Sequence, residues 1–90
     1  NIQNFRLFQN YPNPFNSNTV ISYQVPTKSF INISLYSVIG EKIYEIINEE
    51  KAEGIYKETF ISTQIPSGVY FLKMKTSTGF SAINKITLIK

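Results

Sequence analysis

The sequence predicts an all-β domain, an antiparallel β-sandwich of about six or seven strands, on three observations. Six Tyr and seven Phe stand beside many Ile, Val and Thr, against one Met and no Trp, and branched and aromatic side chains suit a pleated surface. Apolar residues alternate with polar ones in several short runs, each bounded by Pro, Gly, Ser or Asn. No stretch carries a capped amphipathic helical period, and neither an internal repeat nor a low-complexity segment interrupts the pattern. A chain of 90 residues suits one domain that buries roughly 60 to 65% of its unfolded surface, a modest core without room for a large deep active site.

Residues 1–18 read as a linker and extended lead-in, and residues 19–90 as the sandwich. In the lead-in, Pro12 and Pro14 fix φ near about −65° and push Tyr11 and Asn13 into extended geometry, giving a stiff, non-helical run. Phe5, Leu7 and Phe8 are apolar enough to dock against the domain's edge, Leu7 as a plug. From Thr19 to Val25, Ile21, Tyr23 and Val25 alternate with Ser22 and Gln24, and Pro26 ends the strand. Ile31, Ile33 and Leu35 form the inner row of the second strand, opposite Asn32 and Ser34, and Ser37-Val38-Ile39-Gly40 closes it with a glycine suited to positive φ. Residues 41–47, with Ile43, Tyr44, Ile46 and Ile47, fit neither strict alternation nor a helical face and predict a bulged strand. The polar run Asn48 to Glu53 predicts a solvated loop, ended by Gly54. In the strand Ile55 to Ile61, Glu58 shares a face with Tyr56 and Phe60, which requires an edge position or partial exposure. After Ser62-Thr63-Gln64, Ile65-Pro66-Ser67-Gly68 leads into Val69 to Thr76, with Tyr70, Leu72 and Met74 inward and Phe71, Lys73 and Lys75 outward. Ser77-Thr78-Gly79 connects this strand to a last one within residues 80–90, whose core members are Ile86 and Leu88.

The missing residue types narrow function. The chain has no Cys, His or Asp, which removes disulfides, thiolate catalysis, Cys or His metal sites, a histidine general base, a Ser-His-Asp triad and an EF-hand loop. Ser67 precedes a glycine but has only lysine as a conceivable activator, and it lacks the glycine two residues earlier that a nucleophile elbow carries. Pro66-Ser67-Gly68 reads instead as a tight lead into the Tyr70 strand. Glu49, Glu50 and Glu53 beside Lys51 read as a solvated face, so no metal, cofactor or catalytic residue is assigned. The net charge of +3 is spread along the chain rather than gathered into the dense patch that nucleic acid requires. No run reaches the roughly 18 apolar residues of a transmembrane helix, and no charged-then-apolar leader opens a chain that starts at Asn1. These features suggest a segment of a longer precursor.

One ordered set of motifs remains. Gln9-Asn10-Tyr11-Pro12-Asn13-Pro14-Phe15-Asn16 precedes Thr19-Val20-Ile21-Ser22-Tyr23-Gln24-Val25-Pro26, then Leu35-Tyr36 with Gly40, Gly54-Ile55-Tyr56, Pro66-Ser67-Gly68-Val69-Tyr70-Phe71, and finally Lys85 and Lys90. In order and spacing, from about Leu7 to Lys90, the chain resembles the type A C-terminal sorting domain of the bacterial type IX secretion system, also known as the Por secretion system tail. Ser17 stands where that family commonly has proline, and Phe60-Ile61-Ser62-Thr63 lacks the Asp-Gly that often follows its aromatic. The resemblance implies an immunoglobulin-like sandwich, not an enzyme, fused to the C-terminus of a passenger. That passenger would cross the inner membrane by its own N-terminal signal, fold in the periplasm and pass the outer membrane because a translocon engages this domain. A sortase-like protease would then remove the domain, leaving the passenger at the cell surface or outside. Carried onto this chain, the family motif comprises Tyr11, Pro12, Asn13, Pro14, Phe15, Gly40, Gly54, Tyr56, Pro66, Ser67, Gly68 and Tyr70, in structural or recognition roles.

Lys73, Lys75, Lys85 and Lys90 fall on two strands expected to pair. Edge protection accounts for them, since strand lysines discourage edge-to-edge association. A sharper reading makes them, with outward Phe71, a mixed apolar and basic surface facing the translocon. The alternative function is a carbohydrate-binding or adhesive sandwich appended to a secreted enzyme, for which a coplanar row of exposed Tyr or Phe is the signature. A spacer between modules is a further alternative.

Overall fold

The computed structural model describes residues 2–90; Asn1, the first residue of the expected lead-in, lies outside the described residues. Among the described residues seven strands occur: β1 Arg6–Leu7, β2 Asn18–Val25, β3 Ser29–Tyr36, β4 Lys42–Lys51, β5 Gly54–Ile61, β6 Gly68–Thr76 and β7 Ser81–Leu88. They form a three-stranded sheet, β1-β2-β5, facing a four-stranded sheet, β4-β3-β6-β7, and all strand pairs are antiparallel. This is the antiparallel β-sandwich that the alternation predicts, consistent with the immunoglobulin-like form that the resemblance implies.

The core lies where the period-two rows of the two sheets meet. Ile21, Tyr23 and Val25 of β2 oppose Ile31, Ile33 and Leu35 of β3 and Leu72 and Met74 of β6, all fully buried, and Ile86 and Leu88 of β7 complete the layer. Because side chains alternate across a strand, these rows leave Phe30, Tyr36, Phe71, Lys73 and Ile83 on the outside of the four-stranded sheet.

One local reading changes. The polar run from Asn48 is not a solvated loop: β4 continues through Lys51, pairing Asn48 with Asn32, Glu49 with Ile31, Glu50 with Phe30 and Lys51 with Ser29, so only Ala52 and Glu53 separate it from β5. Hydrophilicity misleads here because β4 is a sheet edge, where charged side chains are tolerated and resist aggregation. The bulge expected in residues 41–47 is present as two register shifts against β3, between Ile33 and Ser34 and between Leu35 and Tyr36, which explains the lack of strict alternation. Glu58 sits half-buried on β5, an edge strand, as its charge requires.

The lead-in is built into the sandwich. Leu7 in β1 pairs with Tyr23 and is 8% exposed, Tyr11 bridges Val20, and Phe15 bridges Leu88 with 1% of its surface exposed. Residues 7–15 thus pass from the small sheet to the large one, closing the open side of the sandwich between β2 and β7. The Tyr11-Pro12 and Asn13-Pro14 peptide bonds are cis.

Candidate functional site

The motif residues of the lead-in act on the fold. Asn10 is buried, and its amide donates to the Pro12 carbonyl at 3.1 Å and to Thr19 Oγ1 at 3.0 Å, while the Thr19 hydroxyl donates to that same Pro12 carbonyl at 2.9 Å. The Asn13 side chain behaves as a short strand along β7: its Oδ1 accepts the Thr87 N–H at 3.0 Å and its amide donates to the Lys85 carbonyl. Phe15 continues the pairing, donating its N–H to Thr87 O at 2.9 Å and accepting the Ile89 N–H at 2.8 Å. Gln9 adds a bond to Lys85 O at 3.1 Å, and the Asn84 amide reaches the Leu7 and Phe8 carbonyls. The final strand is an edge strand, but its outer backbone from Lys85 to Ile89 is already occupied. Asn10 and Thr19 were not singled out from sequence, because only the tertiary contact turns two ordinary polar residues into a buried knot.

Gly54-Ile55-Tyr56 and Gly68-Val69-Tyr70 form matching corners. The Tyr56 hydroxyl donates to Ala52 O at 2.7 Å and the Tyr70 hydroxyl to Pro66 O at 2.6 Å, each four residues back, pinning the turn to the strand it starts. A Cβ on Gly54 would stand 3.4 Å from the Tyr56 ring, and Gly68, at φ +154°, lies under Tyr70. Ser67 Oγ accepts the Lys90 N–H at 3.1 Å, which assigns it a structural bond. Lys90 Nζ donates to Ile65 O at 2.6 Å, so its ammonium is committed to this end of the sandwich.

The remaining candidates gather on the outer face of the four-stranded sheet. Phe71 pairs with Tyr36 on one side and Lys85 on the other, and Lys73 pairs with Ser34 and Ile83, so Phe71, Lys73, Lys75 and Lys85 share one surface. The structure does not bring Lys90 there. Above this face the β3–β4 turn is closed by Gly40 N–H to Ser37 O at 3.0 Å and Glu41 N–H to Ser37 Oγ at 3.2 Å, with Gly40 at φ +85°. This turn holds Val38 and Ile39 out at 66% and 82% exposure. Under it runs a groove of about 320 Å³ lined by Tyr36, Val38, Gly40, Phe71, Lys73 and Ile83. Lys73 Nζ stands 5.8 Å from the centre of the Tyr36 ring. Sequence reasoning missed Tyr36, Val38 and Ile83, although outward alternation on β3 and β7 would have flagged Tyr36 and Ile83. The well-exposed aromatics do not make a platform: Tyr11 lies on the lead-in, Phe30 on the outer face of β3 and Tyr44 on the inward row of β4.

A family model described as the secretion system C-terminal sorting domain matches residues 9–90 of this chain. The chain belongs to that family, the sorting domains of type IX secretion. No curated protein sequence matches it. The matched span begins within the lead-in and includes the Asn10 knot, Phe15, both tyrosine corners and every residue of the grooved face. The family is a non-catalytic one, and membership implies secretion to the cell surface or beyond. Among the described residues of the sorting domain there is no cluster of three or more metal-ligating side chains, and no helix is long and apolar enough to cross a membrane.

One buried group of the sorting domain is left without a protein partner. Tyr23 is fully buried and stacks on Tyr56 with ring centres 5.3 Å apart, but its hydroxyl has no hydrogen bond among the described residues. Burial first, and then the Glu58 and Glu49 carboxylates, push the Tyr23 phenol well above its ordinary range. Below pH ~10 the phenol is neutral in both folded and unfolded chains; above it only the unfolded chain ionises freely, so stability falls by up to about 1.4 kcal/mol per pH unit toward the raised folded value. Tyr23→Phe is expected to raise stability at neutral pH by about 1 kcal/mol and to flatten this alkaline decline, read by urea melts across the pH range.

Proposed function

We propose that this sorting domain directs a passenger fused to its N-terminal side through the outer membrane by the type IX system, working through its folded exterior. The observation that carries this reading is the placement of Phe71, Lys73, Lys75 and Lys85 on one sheet face, with Phe71 and Lys73 lining a groove in it. A surface read on a folded cargo must be rigid, and here it rests on the central strands β3 and β6. Its partners are the translocon and a sortase-like protease component, met in the periplasm before the passenger reaches the cell surface or the medium.

The polarity of the fold supports this arrangement. Phe5 stacks on Phe80 with centroids 5.4 Å apart, so a passenger fused ahead of Phe5 would leave the domain near the β6–β7 hairpin. Lys85, five residues along β7, is about 16 Å from that end at the usual rise per residue. A bulky passenger therefore leaves the grooved end of the outer face open.

The test replaces Phe71, Lys73 and Lys75 together with serine on a fused cargo, with the melting temperature checked alongside. The expected result is a folded domain whose cargo accumulates inside the cell; normal export would refute the reading.

A further inference from the structure

Resting on the sorting reading, we infer that the groove beneath the β3–β4 turn takes an acidic partner segment by one aromatic or large aliphatic side chain, with flanking carboxylates held by Lys73, Lys75 and Lys85. The pocket's shape supplies the first half. Tyr36 and Phe71 are adjacent across the β3–β6 pairing, Ile83 lies on the neighbouring strand, and Val38 overhangs them, so the walls are apolar on three sides. A volume of about 320 Å³ suits one large side chain and lies at the small end of natural ligand pockets.

Charge supplies the second half. Among the described residues the ion pairs are Lys28 with Glu50, Lys42 with Glu45, and Lys51 with Glu49, so Lys73, Lys75 and Lys85 are in none. On the same face the Glu45 carboxylate is engaged by Lys42 at 3.1 Å and by the Asn32 amide, while Glu41, at the end of the turn, is exposed and in no ion pair. Lys73 at the slot, with Lys75 and Lys85 on the same face, thus outnumbers the one unpaired carboxylate of the turn, Glu41, a field that favours a negatively charged segment over a basic one. Lys73, whose head lies over the Tyr36 face, is placed to meet a carboxylate beside the inserted side chain.

The backbone closes one mode of docking at β7. Residues Gln9, Asn13 and Phe15 occupy its outer edge from Lys85 to Ile89, leaving too short a free edge there for a partner to add as a strand. On this side of the sheet the groove offers entry to side chains from the face.

The experiment titrates the 90-residue chain into a fluorescein-labelled peptide of one phenylalanine flanked by glutamates and follows anisotropy. Saturable binding is expected, weakened about tenfold or more by Phe71→Ser or Lys73→Ser, by replacing the peptide's phenylalanine with alanine, or by raising salt. A Lys57→Ser control on the opposite sheet leaves it unchanged. Absence of binding, equal binding by the groove variants, or groove-dependent binding to anionic phospholipid vesicles in place of the peptide would overturn the inference. Export separates this from the reading beneath it. Groove variants that lose export in a chain that never binds the peptide refute only the acidic-segment chemistry; variants that lose the peptide yet export normally refute the sorting role of this face.

Discussion

Phe15→Ala is expected to cost this domain about 3 to 5 kcal/mol, a large share of what a domain of this size has. Phe15 belongs to a motif that reads as a surface signal, yet only 1% of it is exposed. Its ring meets Phe60 edge-on at 6.2 Å, joining the lead-in to the far edge strand β5. Truncation removes the ring and that aromatic contact, and leaves a cavity between sheets that cannot collapse, because Leu88 and its neighbours are held by the β7 pairing. At about 4 to 8 °C per kcal/mol for a domain of this length, the melting temperature falls by roughly 12 to 40 °C, read by circular dichroism. Phe15→Leu keeps most of the volume and should cost less than about half as much. The control lies in the same motif: Tyr11, 79% exposed, should tolerate alanine within about 0.5 kcal/mol. If both substitutions proved mild, the lead-in would not be part of the core.

These residues show where sequence reasoning reaches and where it stops. The rows Ile21-Tyr23-Val25, Ile31-Ile33-Leu35 and Tyr70-Leu72-Met74 are legible because a strand with one buried face must alternate, and the structure buries all nine. The β4 segment from Asn48 to Lys51 is not, because an edge strand needs no apolar row and its charges look like those of a loop. The outward set Phe71, Lys73 and Lys75 follows from the same alternation, but the groove beside it does not. That groove is formed by the Ser37–Gly40 turn leaning over β6 and β7, a contact between segments more than thirty residues apart. Asn13 is the sharpest case: next to proline it reads as a turn residue, and its use as a surrogate strand for Thr87 depends on a neighbour at the other end of the chain. Lys90 is the converse, a charge that reads as available and is spent on the Ile65 carbonyl.

Removing the lead-in in two steps should produce an abrupt loss. Among the described residues, a chain spanning residues 5–90 gives up the half-buried Ile2 side chain and the exposed bond from Gln24 to the Asn4 carbonyl, and should melt within about 1 kcal/mol of the full chain. A chain spanning 17–90 loses Leu7 and Phe15 from the core, the Asn10 knot on Thr19, and every bond along the outer edge of β7. Two buried apolar side chains of this kind are worth about 1.5 to 3 kcal/mol each, before the orphaned Thr19 hydroxyl and the reopened edge are counted. The bare edge adds a second consequence. Ile83 on β7 and Phe71 beside it would flank an unpaired strand, a template for another copy. The shorter chain is therefore expected to lose its cooperative melt and to elute as aggregates, measured by circular dichroism and light scattering. A monomeric, cooperatively melting 17–90 fragment would show that the sandwich is complete from β2 onward and that residues 5–16 merely lie on it. The opposite outcome makes the lead-in a structural lock that couples the residues ahead of β2 to the stability of the whole sandwich.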